Sequence, residues 1–93
     1  MTHEELRKLC KQSLRLTDDN TALDYQIDAL IAAGKDDITR SCDVVFDEDN
    51  TDDCIAVVLY VKGMYPVEPD AASWSLYKER LAVIGTRKIG EVG

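Results

Sequence analysis

Eight apolar residues in a row, Cys54-Ile55-Ala56-Val57-Val58-Leu59-Tyr60-Val61, form the longest unbroken apolar run of an acidic chain. A segment with no polar side must be enclosed, either by the rest of the fold or by a neighbouring subunit. Its β-branched residues would suit a buried strand. Three features point to a helix instead. Asp52 and Asp53 suit a helix cap and first turn. The patterned segment runs from about Asp52 to Tyr65, longer than a typical strand. No second strong strand candidate exists to pair with it. Spanning a bilayer takes roughly 20 apolar residues, so the run does not read as a membrane segment.

Three further helices flank it. Thr2 and Glu5 form a T-x-x-E capping box, and Leu6, Leu9, Cys10 and Leu14 then share one face to about Leu14. After an acidic turn at Thr17 to Thr21, residues Leu23, Ile27, Leu30, Ile31, Gly34 and Ile38 fall at offsets 0, 4, 7, 8, 11 and 15. That is one stripe of a 3.6-residue period, with Gly34 read as internal to the helix. Residues Cys42 to Asp53 read as a loop carrying an apolar plug, Val44, Val45 and Phe46. Pro66 and Pro69 bracket a turn, and Asp70 is positioned to cap the last helix. Trp74, Tyr77, Leu81 and Ile84 make its core stripe, and Gly85 is placed to stop it. The expected fold is therefore all-α, one small four-helix domain over residues 1–85, with residues 86–93 a flexible tail.

Charge and cysteine usage exclude several functions. In 93 residues, 11 Lys and Arg stand against 18 Asp and Glu, a net charge of −7. A domain built to grip nucleic acid needs a basic face. Over residues 1–15, Arg7, Lys8, Lys11 and Arg15 against Glu4 and Glu5 leave only +2, which reads as a solvated face or a docking edge. The N-terminal stretch has no basic start followed by an apolar segment, so no secretory signal is expected and the protein reads as cytosolic. Cys10, Cys42 and Cys54 are widely spaced, and His3 is the one histidine, so neither a zinc site nor a disulfide is expected.

The acidic loop from Asp47 to Asp53 invites a calcium reading. An EF-hand starting at Asp47 would need Gly and Glu where the chain has Asp52 and Val58. A solvated loop that caps the next helix is the better reading. No glycine-rich phosphate loop exists, since the five glycines are scattered. His3 cannot serve a nucleophile as base from the chain end. No enzyme activity and no cofactor are expected. Tyr60, Tyr65, Trp74 and Tyr77 suit either a packed core or a subunit contact, where aromatic residues are enriched.

The order of segments resembles the small head–tail connector proteins of long-tailed bacteriophages, also labelled head-completion or DNA-packaging adaptors. The resemblance covers about Leu6 to Ile84. It rests on Leu14-Arg15-Leu16 with the acidic Asp18-Asp19 turn and the long-helix pattern from Leu23 to Ala33. It also rests on the segment ending Tyr60-Val61-Lys62-Gly63-Met64-Tyr65, and on the closing pattern from Trp74 to Leu81.

The resemblance implies a ring-forming protomer of the virion head–tail junction, assembled in the host cytoplasm. A ring of about a dozen copies would sit below the portal protein and extend the DNA channel. It would then present a docking surface to a downstream head-completion or tail protein. DNA would pass through without sequence-specific binding, helped by an acidic lumen that repels phosphate. Tyr60, Tyr65, Trp74 and Tyr77 are the expected subunit contacts, and Arg87, Lys88 and Ile89 in the tail the expected portal contacts. The alternative is a small acidic helical module, a regulator or inhibitor acting by protein contact. A metal-dependent module using the acidic loop is the third reading.

Overall fold

A computed structural model describes residues 1–16, 21–65 and 71–92, the side chains of residues 87–92 excepted. Four helices follow in order: α1 (His3–Ser13), α2 (Asp24–Cys42), α3 (Thr51–Met64) and α4 (Ala71–Val92). The all-α expectation holds, and the apolar run is helical.

Local chemistry explains the helix starts. Thr2 and Glu5 close the capping box on α1. The Thr2 hydroxyl accepts from the Glu5 amide at 3.1 Å, and the Thr2 amide donates to Glu5 Oε1 at 3.0 Å. At α3 the cap is Asn50, whose Oδ1 accepts from the amides of Asp52 and Asp53. The two aspartates stand in the first turn, where the helix dipole favours them. Helix α2 ends at Asp43, which takes the left-handed conformation with φ 53°.

Helix α3 is the common wall of the bundle. It packs on α1, α2 and α4, whereas α1 and α4 do not touch among the described residues. Its Ala56, Val57 and Val61 are fully enclosed, and meet Ile27, Ile31 and Ile38 of α2, Leu6 and Cys10 of α1, and Tyr77 and Ile84 of α4 in one core. The stripe read on α2 is the one that is buried. Gly34 is internal, as expected. A Cβ there would lie 3.0 Å from the Tyr60 ring, so the missing side chain lets α3 approach α2.

Two expectations need correction. Gly85 does not stop α4, which continues to Val92; no described glycine takes a positive φ, so Gly85 supplies no left-handed turn. Within one chain the fold encloses most of the apolar run and leaves Ile55, Val58 and Leu59 partly exposed. The loop plug is only partial. Val44 is buried and Phe46 packs on the core, but Val45 between them is 85 % exposed. The Pro66–Pro69 turn and the Asp70 cap lie outside the described residues.

Candidate interaction surface

Many charged groups among the described residues pair within the chain. Between α1 and α2, Arg7 grips Asp28 with two hydrogen bonds, Nε to Oδ1 at 2.7 Å and Nη2 to Oδ2 at 2.8 Å. His3 Nε2 adds a contact to Oδ1 at 3.0 Å. The Arg7 bonds first, with help from His3, hold the Asp28 carboxyl below its ordinary range. One turn further along α1, Lys11 Nζ lies 2.9 Å from Asp24 Oδ1. The contact is a buried ion pair. Lys11 is therefore buried, not part of the solvated basic face expected from the sequence.

The acidic loop is equally committed. The Asp47 amide donates to the fully buried Asp53 carboxylate at 2.8 Å, and the Asp49 amide donates to Asp47 Oδ1 at 2.9 Å. Glu48 pairs with Lys35, Asp49 with the amino group of Met1, and Asp52 with Arg80. Among the described residues no three of His, Cys, Asp and Glu converge as a metal ion would require. Burial pushes the Cys10 thiol up to about 12, so it is a poor nucleophile.

The four aromatic residues singled out from the sequence have distinct places. Tyr65 and Tyr77 are buried. Tyr60, Trp74 and Tyr77 form one cluster, with ring centroids 5.3 to 5.9 Å apart. The Tyr77 hydroxyl donates a short hydrogen bond to Asp37 of α2. Burial first, and the Asp37 carboxylate second, raise the Tyr77 phenol well above its ordinary range. These rings knit α2, α3 and α4 together; only Tyr60 and Trp74 keep some surface. Arg87, Lys88 and Ile89 fall in the final turns of α4, and their side chains lie outside the described residues.

An open apolar surface lies between α3 and α4. Ile55 and Leu59 of α3 with Leu76, Glu79, Arg80 and Val83 of α4 line a groove of about 400 Å³. Leu76 is 50 % exposed and Val83 48 %. Both sit outside the Trp74–Ile84 core stripe, and that offset is the signal the sequence carried for this surface. No described helix is long and apolar enough to cross a membrane. The chain matches no family model, no curated protein and no solved structure.

Proposed function

We propose that this chain is a structural assembly subunit that works by protein contact and catalyses no reaction. In its most specific form it is the head–tail connector that the sequence resembles. About a dozen copies would form a ring below the portal, lengthen the DNA channel and offer a surface to the next head-completion or tail protein.

The apolar groove between α3 and α4 carries this reading. A protomer with many of its charged side chains paired internally leaves half-exposed Leu76 and Val83 beside Ile55 and Leu59. Apolar side chains that share one groove make it the candidate contact site. The acidic balance of −7 suits a conduit from which phosphate is repelled. The same groove also supports the second reading, a small acidic binding module.

Native mass spectrometry and negative-stain imaging at rising concentration separate the two. Closed rings of about a dozen copies are expected of the connector. A species that stops at one or two copies at every concentration overturns the ring and leaves the binding module.

A further inference from the structure

Four residues of α4 line the groove: Leu76, Glu79, Arg80 and Val83. Their spacing is three, one, three, and it reads the same in either direction. Their chemistry, apolar, acid, base, apolar, is complementary to itself when reversed. Laid antiparallel on a second copy, α4 sets Leu76 opposite Val83 of that copy and Glu79 opposite its Arg80. Both matches occur twice.

We propose that this face pairs with a second copy of the chain about a two-fold axis passing between Glu79 and Arg80. Such an interface is isologous, with the same patch used by both copies. The apolar side chains of each copy enter the groove of the other, against Ile55 and Leu59. Arg80 already meets Asp52 through Nη1 at 2.8 Å. A guanidinium carries five N–H donors, so the arginine can hold Asp52 and the Glu79 of the second copy together. A partner of unrelated sequence has no reason to match this palindrome; a second copy matches it by symmetry. The patch is small, so the pairing is weak and concentration-dependent. It rests on the reading of this groove as a contact surface and assigns the groove to the two-fold contact, leaving a ring contact to other faces of the chain. A two-fold pair and a ring contact are compatible, and together they stack two rings face to face.

Sedimentation equilibrium of the intact chain at physiological ionic strength tests the pairing. Where no ring forms, the mass is expected to rise with concentration from 10.4 kDa toward twice that value; where rings form, they are expected in stacked pairs. Leu76→Glu abolishes the rise. Glu79→Arg sets two like-charged pairs across the axis and weakens association about tenfold or more. Glu79→Arg combined with Arg80→Glu restores the opposite-charge match and recovers association. Circular dichroism confirms that each variant keeps its helices. A single copy at all concentrations overturns the pairing. So does association untouched by Leu76→Glu and Glu79→Arg, including rings that form without stacking and ignore both changes.

Discussion

Lys11 of α1 and Asp24 of α2 meet at 2.9 Å, with the lysine side chain only 4 % exposed. One turn away, Arg7 and Asp28 repeat the pairing. Residues 7 and 11 thus face residues 28 and 24 in reverse order, and this two-rung ladder fixes the antiparallel register of α1 on α2.

Breaking the inner rung is expected to be costly. Lys11→Ala removes a buried stem and leaves a largely enclosed carboxylate without its cation, a loss of about 2–3 kcal/mol. Lys11→Met with Asp24→Leu replaces both charges by apolar groups and should recover most of that loss. Urea unfolding of the single and double variants gives the coupling directly. A double variant as unstable as Lys11→Ala would refute the pair as the source.

The outer rung governs the acid side of the stability curve. Asp28 is held below its ordinary value of 3.8 in the folded chain. Its contribution is therefore present above that value and is lost as pH falls through the folded value. Asp28→Asn should cost about 1 kcal/mol at neutral pH, a modest sum because the pair is partly solvated. It should also flatten the acid limb. Melting temperatures from pH 7 down to pH 2 read both effects.

Tyr77 contributes on the alkaline side. Its phenol is raised above the ordinary value of 10.0, first by burial and then by Asp37. The folded chain keeps the proton that the unfolded chain releases, so the contribution of Tyr77 is full below about pH 10 and falls above it. Tyr77→Phe should lessen that alkaline fall, the remainder belonging to other groups that burial raises, the Cys10 thiol among them. It should also cost about 1–2 kcal/mol at neutral pH, because Asp37 loses its donor. An unchanged alkaline limb in the variant would assign the fall to other groups.

Two glycines should respond in opposite senses to the same substitution. At Gly34 a new Cβ meets the Tyr60 ring at 3.0 Å, and that ring is held between Trp74 and Tyr77. Overpacking of about 1–3 kcal/mol outweighs a gain in helix propensity of about 1 kcal/mol. Gly34→Ala is therefore destabilising. At Gly85 nothing lies within 4 Å, so Gly85→Ala keeps the propensity gain. Thermal melts should separate the two variants by several degrees, since about 1 kcal/mol moves a domain of this size by roughly 4–8 °C.

Much of this architecture is written in the period of the chain. The Leu23–Ile38 stripe and the Thr2–Glu5 box both depend on contacts within one helix, which spacing alone reveals. Lys11 was not legible as a buried residue, because its burial depends on where α2 begins across the turn. The matched four-residue spacings, Arg7 to Lys11 and Asp24 to Asp28, were the available signal. The end of α4 is not legible at Gly85 for a related reason. Glycine permits a left-handed stop but does not impose one, and α4 carries on through it. The groove is not legible in the sequence, because Leu76 and Val83 look like isolated surface residues until Ile55 and Leu59 are placed beside them.

The central place of α3 has a consequence for what happens when the bundle opens. Ile55, Val57, Val58 and Val61 are β-branched and weak helix formers, so the helical state of this segment is conferred by its neighbours. Once α4 lifts away, a stretch with high β propensity and no charge from Cys54 to Val61 loses its cover. The docked α4 therefore acts as a guard against fibril-like self-association as well as a wall of the core. A peptide of residues 51–64 alone should show little helix and bind thioflavin T on standing, whereas the intact chain should not.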